Sequence, residues 1–314
     1  MEEALYSHLG FFNTDQVRSD KEGDFLTSPE VSKYFGKIIR NWIHSESNLK
    51  NIIEIGSGTG SLIEQIGIKE ITAVELSSTA REELIKKGID THTTIDELTT
   101  KTSDLIFGNE ILDNIPCSIG LYKDEGWYEK VVLLEENSLA YGLRPIRNEE
   151  LDWINKNNIV PNEDYEFEIQ VNIDKFLNSV IKKINPGKIL LFDYGYEQKN
   201  RDKRMYSSLL RTYKNHHLSV DPIDDPGNID ITYDVNFSSI SSELKYLGYD
   251  VTLKLQRDFL LDNGFNIFFD ELQEKYIDAE GIEKLKINSE LNGMKAIVDS
   301  NGLGGFYCLI AEKL

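Results

Sequence analysis

The chain of 314 residues carries a formal net charge of −20 at pH 7, and 40% of its residues are hydrophobic. The excess of carboxylates argues against a general binder of nucleic acids or other polyanions, because such binding needs Lys and Arg that neutralise phosphates. It favours solubility and attraction of a cationic partner, and the apolar fraction suffices for a sizeable core. Cys117 and Cys308 form neither a zinc nor a redox motif, so we expect no metal site.

The first residues of the chain, Met1 to Leu5, are acidic. They lack the basic flank of a signal peptide and the Arg-rich character of a transit peptide. No apolar run approaches the length that a membrane span requires. We therefore expect a cytoplasmic location and no membrane span.

A helix is predicted to begin at Ser28. Ser28 followed by Pro29 is typical of an N-cap and the first helical position, and an apolar stripe at helical spacing continues to Trp42. Asp24 and Thr27 lie in the polar loop before this helix. A polar loop that leads into a buried helix is suited to cover a ligand, so both residues are candidate binding residues.

The segment of residues 51–61 predicts a strand, a glycine turn and a helix. Gly56, Gly58 and Gly60 follow a short apolar strand, and glycine lets a ligand approach the backbone closely because it has no Cβ. Glu75 ends the next apolar run, where a carboxylate can accept hydrogen bonds from both hydroxyls of a ribose. The pattern predicts a nucleoside cofactor across the carboxyl ends of two parallel strands.

Two features of this segment favour S-adenosylmethionine over NAD. The dinucleotide fingerprint expects Gly or Ala three residues after the second glycine, and Ser61 occupies that position. Glu54, near the end of the first strand, offers a carboxylate to the amine of S-adenosylmethionine but would repel a pyrophosphate. NAD remains the alternative cofactor.

Polar side chains also follow the next predicted strand, residues 104–108. Asn109, Glu110 and Asp113 come directly after it, at the edge of the sheet where doubly wound folds bind ligands. We expect Asn109 to contact the cofactor. Glu110 and Asp113 are candidates for a catalytic role.

The α/β pattern is interrupted over residues 117–170, where an antiparallel hairpin is predicted. It resumes with a helix, Ile173–Ile184, and a strand, Lys188–Asp193, that again ends in an acid. These patterns predict three parts: a helical segment of residues 1–46 that covers the cofactor site, a Rossmann-like core of residues 47–116 and 171–314, and an inserted subdomain of residues 117–170 that covers the substrate.

Residues 197–235 show little periodicity. A long irregular loop in a compact enzyme is usually functional or disordered, and the aromatic residues and Pro-Gly turn favour order here. His216, within it, is a candidate general base, although a lone His is more often a structural hydrogen-bonding group. Beyond it we predict a helix over Ser238–Leu247, a strand over Asp250–Leu255, helices through 258–290 and a last strand over Gly305–Ala311.

Several of these stretches together resemble the MidA family of class I methyltransferases, whose mitochondrial members are arginine methyltransferases needed to assemble respiratory complex I. The similar stretches, in an order and spacing that match over about residues 5–260, are 23–30, 54–62, 109–116, 193–196, 210–216 and 226–237. The resemblance implies an α/β, Rossmann-like class I methyltransferase fold with a seven-stranded, mostly parallel sheet. It also implies S-adenosylmethionine as the cofactor and an arginine side chain of a partner protein as the acceptor.

The resemblance also suggests a mechanism. A guanidinium is a poor nucleophile because its lone pairs are delocalised, and carboxylates that bind it in a bidentate manner can orient it and localise charge on one nitrogen. Glu110, Asp113 and Asp193 are the candidates for this role, with Glu110 first.

The chain departs from the family pattern in two places. Ser57 and Thr59 stand in the glycine turn where the family favours proline and arginine, and Ile111 and Leu112 replace an aromatic pair. We expect cofactor binding to survive these changes, whereas the acceptor is less well determined. The alternative function is a non-catalytic factor that binds S-adenosylmethionine or a partner without turnover, and a homodimer is compatible with either function.

Overall fold

The computed structural model describes residues 1–13, 27–46, 49–98, 103–136, 138–203, 209–214, 217–218 and 221–313. Its α-helices are α1 (Glu2–Tyr6), α2 (Ser28–Val31), α3 (Tyr34–Ser45), α4 (Ser61–Ile66), α5 (Ser78–Lys86), α6 (Asn148–Lys156), α7 (Val171–Ile181), α8 (Phe237–Tyr246), α9 (Gln256–Asp262), α10 (Phe265–Asp278) and α11 (Gly281–Val298). Its strands are β1 (Ile52–Ile55), β2 (Ile71–Val74), β3 (Thr91–His92), β4 (Ser103–Asn109), β5 (Ser118–Lys123), β6 (Gly126–Glu135), β7 (Ser138–Pro145), β8 (Tyr165–Ile169), β9 (Ile184–Asp193), β10 (Gly195–Tyr196), β11 (Leu210–Lys214), β12 (His217–Leu218), β13 (Asp230–Tyr233), β14 (Val235–Asn236), β15 (Asp250–Leu255) and β16 (Tyr307–Lys313).

A seven-stranded sheet in the order β15-β16-β9-β4-β1-β2-β3 forms the centre of the molecule. The five strands from β9 to β3 are parallel, and β16 pairs antiparallel with both β9 and β15. Parallel strands place all their carboxyl ends at one edge of the sheet, and an antiparallel strand begins at that same edge. This topology confirms the predicted fold class.

Helices cover both faces of the sheet. Leu105 and Phe107 on β4 pack with α3, α9, α10 and α11, whereas Ile106 between them packs with α7 and α8. Strands that are buried on both faces have continuous apolar sequences rather than alternating ones. This explains why β1, β4 and β9 were recognisable as short apolar runs.

Residues 118–169 form a separate four-stranded antiparallel sheet in the order β7-β6-β5-β8. Helix α6 packs on it through a small buried cluster of Trp153, Ile154, Phe167 and Ile169. The sequence predicted the β5–β6 hairpin, whereas α6 and β8 were not predicted. The Asn172 side chain donates a hydrogen bond of 2.8 Å to the Pro116 carbonyl, which joins the two ends of this unit.

The prediction of one continuous helix from Ser28 to Trp42 is wrong, because the structure has two helices there, α2 and α3. Ser32 adopts an extended conformation with φ −149° and ψ 119°, and it separates α2 from α3. The Ser32 hydroxyl accepts the backbone N–H of Tyr34 at 3.3 Å, which is a local alternative to helical hydrogen bonding. The predicted N-cap is also displaced, because Ser28 is the first helical residue and Thr27 is the N-cap.

Part of the predicted irregular region of residues 197–235 is a small antiparallel sheet of β11, β12 and β13. The N-terminal residues pack against it, and Leu5 and Phe11 share a buried cluster with Ile229 and Ile231. These contacts fix the first residues of the chain beside the carboxyl edge of the central sheet. Among the residues that the structure describes, no helix is long and apolar enough to cross a membrane.

Candidate active site

The glycine turn between β1 and α4 adopts a backbone conformation that favours glycine. Gly56, Gly58 and Gly60 have φ values of +68°, +51° and +83°. A Cβ on Gly56 would overlap the side chain of Ile111, which lies directly over the turn. A side chain at these positions would therefore strain the backbone, and at Gly56 it would also displace Ile111.

A cavity of about 240 Å³ lies beside this turn, across the carboxyl ends of β1, β2 and β4. The predicted site residues that line it are Thr27, Glu54, Gly56, Gly58, Glu75, Asn109 and Glu110. The structure thus brings together side chains that are more than 80 positions apart in the chain. A cavity at this edge of a doubly wound sheet is where such folds bind ligands.

The remaining predicted site residues do not line this cavity. A Cβ on Gly60 would lie 2.7 Å from Leu84 Cδ2, so the lack of a side chain here lets α5 pack against the turn, and the cofactor-binding role of Gly60 stays a prediction. Asp113 and Asp193 are buried and are not among the residues that line the cavity. Asp24 and His216 lie outside the described residues.

Glu54 offers an unsatisfied carboxylate to the cavity. It is 3% exposed, and within the described part of the chain its Oε2 atom has no hydrogen-bond partner. Burial and the nearby carboxylates of Glu75 and Glu30 hold its pKa well above the ordinary value. Because an unpaired buried carboxylate is costly, a cationic amine in the cavity would satisfy Glu54, and this chemistry fits the aminoacyl end of S-adenosylmethionine.

Glu75 fixes the glycine turn as well as lining the cavity. The backbone N–H of Gly58 donates to Glu75 Oε2 at 2.9 Å, and that of Ser77 donates to Oε1 at 2.7 Å. Burial raises the pKa of this carboxyl, and these two hydrogen bonds oppose the increase. Since a carboxylate has about four acceptor positions, Glu75 retains capacity for the hydroxyls of a ribose.

Glu110 occupies a strained turn at the end of β4. It has a φ of +52°, which is unusual for a residue with a Cβ and often marks a functional position. Its Oε1 atom accepts the Ser28 backbone N–H at 3.2 Å and the Asn109 side-chain amide at 2.9 Å. Burial nevertheless raises the pKa of Glu110 to about 8, so a large share of this carboxyl is protonated at neutral pH.

Asp193 holds the turn that carries Glu110 and Asp113. Its Oδ2 atom accepts the backbone N–H groups of Leu112 at 2.8 Å and Asp113 at 3.3 Å, and its Oδ1 atom accepts that of Tyr194 at 2.9 Å. Asp193 has no exposed surface. Its carboxylate thus holds the backbone of this turn, and the catalytic role predicted from its position at a strand end stays a prediction.

The substitution Asp193→Asn tests this structural role. The Asn side chain has one carbonyl oxygen and one NH2 group, and the NH2 group cannot accept a hydrogen bond. At least one backbone N–H that Asp193 now accepts therefore loses its partner. We expect the free energy of unfolding, measured by urea denaturation, to fall by about 1–3 kcal/mol. A variant with unchanged stability but lost activity would instead favour a direct catalytic role for Asp193.

Comparison with known proteins decides the identity of the chain. A family model described as a putative S-adenosyl-L-methionine-dependent methyltransferase matches residues 36–252, which is more than half of the sequence. The chain belongs to this family. The predicted enzyme class, the predicted cofactor and the resemblance to class I methyltransferases are thereby confirmed.

Two curated relatives of this methyltransferase are mitochondrial proteins. It is 25% identical over 308 residues to the protein arginine methyltransferase NDUFAF7 homolog of Caenorhabditis elegans, with 83% of this chain and 70% of that protein covered. It is 25% identical over 322 residues to protein arginine methyltransferase NDUFAF7 of Danio rerio, with 85% and 72% covered. The expectation of a cytoplasmic location is wrong, because these relatives are named as mitochondrial proteins.

A solved structure shares the whole fold of this methyltransferase. A Burkholderia thailandensis protein, crystallised with S-adenosyl-homocysteine, matches with a TM-score of 0.85 and 22% identity. The match covers 99% of this chain and 86% of that protein. At this level of identity, the likeness supports the fold and its topology.

The methyltransferase site also contains residues that sequence reasoning missed. Tyr6 and Phe12 line the cavity as a stacked pair with ring centroids 5.5 Å apart, although the sequence showed them only as a short aromatic segment. Gln256 is fully buried, and its side chain donates to Ser28 Oγ at 3.1 Å and to the Ile297 carbonyl at 3.0 Å. The sequence offered no signal for Gln256, because its partners are far away in the chain.

Proposed function

We propose that this methyltransferase transfers the methyl group of S-adenosylmethionine to an arginine side chain of a partner protein. The names of the relatives support the acceptor class, and the net charge of −20 suits a cationic acceptor. The observation that carries the proposal is the position of Glu110, a half-buried carboxyl at the end of β4 beside the cofactor cavity. Its side chain can accept two donors from a guanidinium.

The cofactor-binding roles follow from the cavity. We propose that Glu54 binds the amine of S-adenosylmethionine and that Glu75 binds its ribose hydroxyls, with the glycine turn against the adenosine. Thr27 and Asn109 line the same cavity and complete its polar wall. The bound cofactor supplies an electrophilic sulfonium methyl group, so the main task of the protein is to position the nucleophile.

Glu110 has the properties of an acceptor-orienting carboxylate. Its raised pKa reflects burial and the nearby carboxylates of Asp113 and Glu30, and an arriving guanidinium favours the ionised form. A carboxylate that binds two nitrogens of the acceptor leaves the third nitrogen directed at the methyl donor. We propose this role for Glu110, whereas Asp113 and Asp193 support the turn that holds it.

We further propose that residues 117–170 cover the acceptor. This unit leaves the core directly after the turn that contains Glu110 and Asp113, and it returns at α7. The hydrogen bond between Asn172 and Pro116 keeps both ends at the carboxyl edge of the central sheet. The unit is therefore attached beside the proposed reaction site.

The substitution Glu54→Gln tests the amine contact. A neutral amide cannot neutralise the amine, so we expect the Kd for S-adenosylmethionine to rise about 10- to 100-fold, as for the loss of a charge-assisted hydrogen bond. Isothermal titration calorimetry measures this change. The control ligand is 5′-methylthioadenosine, which lacks the aminoacyl group and should bind both proteins equally. An equal loss for both ligands would contradict the assignment.

Methyl transfer itself is tested with S-adenosylmethionine labelled in the methyl group and a cell extract as the source of acceptors. We expect label in protein, and we expect hydrolysis of that protein to release labelled methylarginine. Label on another amino acid would overturn the acceptor class. Cofactor binding without any transfer would instead favour the binding or assembly factor.

A further inference from the structure

Two half-buried aromatic side chains lie together at the edge of the sheet that carries the site. Asp193 at the end of β9 pairs with Tyr307 at the start of β16, so the neighbouring residues Tyr194 and Phe306 project beyond the same edge. Their ring centroids are 5.3 Å apart, with an interplanar angle of 56°. Both residues are half-buried, so part of the pair is accessible at this edge.

The Tyr194 ring is held in place by charged groups. Its hydroxyl donates a hydrogen bond to Asp113 Oδ2. The guanidinium of Arg211 lies 4.9 Å from the ring centroid and pairs with Asp234 at 2.9 Å. The orientation of the ring is therefore fixed before any acceptor arrives.

Hydrogen bonds connect Phe306 to Glu110. The backbone N–H of Gln256 donates to the Phe306 carbonyl at 2.7 Å, and the Gln256 side chain donates to Ser28 Oγ at 3.1 Å. The Ser28 backbone N–H then donates to Glu110 Oε1 at 3.2 Å. On the other side, Tyr194 reaches the turn of Glu110 through Asp113. The aromatic pair and Glu110 are thus connected by hydrogen bonds on both sides.

We propose that Tyr194 and Phe306 form an aromatic wall of the acceptor subsite and that this wall selects a flat, delocalised cation. The inference rests on the proposed function and extends it to the choice between arginine and lysine. A guanidinium stacks on aromatic faces and is weakly hydrated, whereas an ammonium is a compact and strongly hydrated charge. Glu110 supplies the negative charge beside the wall, and the rings supply the planar contact.

The test is the binding of blocked amino acids to the protein loaded with S-adenosyl-homocysteine. We expect calorimetry to show that N-acetyl-arginine methylamide binds about 3- to 30-fold more tightly than the corresponding lysine compound, which is the range of a cation–π contact. Phe306→Leu should weaken this preference several-fold, and Phe306→Tyr should retain it.

The matched control is Phe269→Leu, which alters another aromatic pair, that of Phe265 and Phe269 on α10. This variant should keep the preference for arginine. Equal binding of the two compounds by the wild-type protein, or a preserved preference in Phe306→Leu with intact binding of S-adenosyl-homocysteine, would overturn the aromatic wall.

The two proposals fail in different ways. If Phe306→Leu binds and methylates arginine as the wild type does, the proposal of an aromatic wall is contradicted. The proposed function is then unaffected. Binding of arginine with no methyl transfer by the wild-type protein would contradict the proposed function instead.

Discussion

Glu110→Gln is expected to lower methyl transfer to the arginine acceptor by about 10³-fold, the effect of removing a positioned charged group from an active site. The amide keeps the size of the side chain, and it can still accept the Ser28 backbone N–H that Glu110 accepts now. It can no longer hold a guanidinium by charge. Affinity for S-adenosyl-homocysteine should stay within a few-fold of the wild type, since Glu54 and Glu75 remain.

The pH dependence of kcat/KM and of stability provides a second test of the role of Glu110. If the ionised form of Glu110 is required, kcat/KM rises with pH until it levels off above about 8, the pKa of Glu110 in the free protein. In the folded protein this pKa is above its ordinary value, so the contribution of Glu110 to stability is present at low pH and is lost as pH rises towards 8. Glu110→Gln should therefore be more stable than the wild type above pH 8, while activity is lost.

The control for Glu110 is Glu125→Gln. Glu125 is also a glutamate with a left-handed backbone, φ +60°, but it is exposed in the turn between β5 and β6. This variant should leave both methyl transfer and its pH profile unchanged. Full methyl transfer by Glu110→Gln would show that Glu110 does not orient the acceptor.

Gly58→Val is expected to abolish cofactor binding, with a rise in Kd of roughly 100-fold or more. Gly58 lines the cavity with φ +51°, and its N–H donates to Glu75. A valine side chain strains the left-handed backbone and occupies the approach of the adenosine. Calorimetry with S-adenosyl-homocysteine measures the loss.

Gly88→Val separates binding from backbone strain. Gly88 has φ +75°, and an added Cβ would meet no atom within 4 Å. Both variants should lose about 1–2 kcal/mol of stability from the left-handed conformation, and only Gly58→Val should lose the cofactor. Unaltered affinity in Gly58→Val would contradict the site.

The parts of the site whose residues lie close together in the sequence were predictable. Glu54, the glycine turn and Glu75 lie within one strand-turn-helix-strand unit, so local periodicity and spacing were enough to place them together. Asn109 and Glu110 were predictable because parallel strands end at a common edge. The acidic end of β9 was also predicted, but not that Asp193 accepts two backbone N–H groups of the turn that follows Glu110.

The parts that depend on distant contacts were not predictable. Gln256 and Ser28 are 228 positions apart, and neither shows a pattern that indicates the other. Tyr6 and Phe12 line the cavity because Leu5 and Phe11 pack with Ile229 and Ile231, which are more than 200 positions away in the chain. The break at Ser32 arises from a side chain that competes with helical hydrogen bonding, which apolar spacing does not reveal.

A crystal structure with S-adenosyl-homocysteine tests the central claim most directly. We predict the ligand in the cavity beside the glycine turn, with its amine within hydrogen-bond distance of Glu54 Oε2 and its ribose hydroxyls on Glu75. A cavity that stays empty at saturating ligand, or a ligand bound away from both carboxylates, would contradict the account.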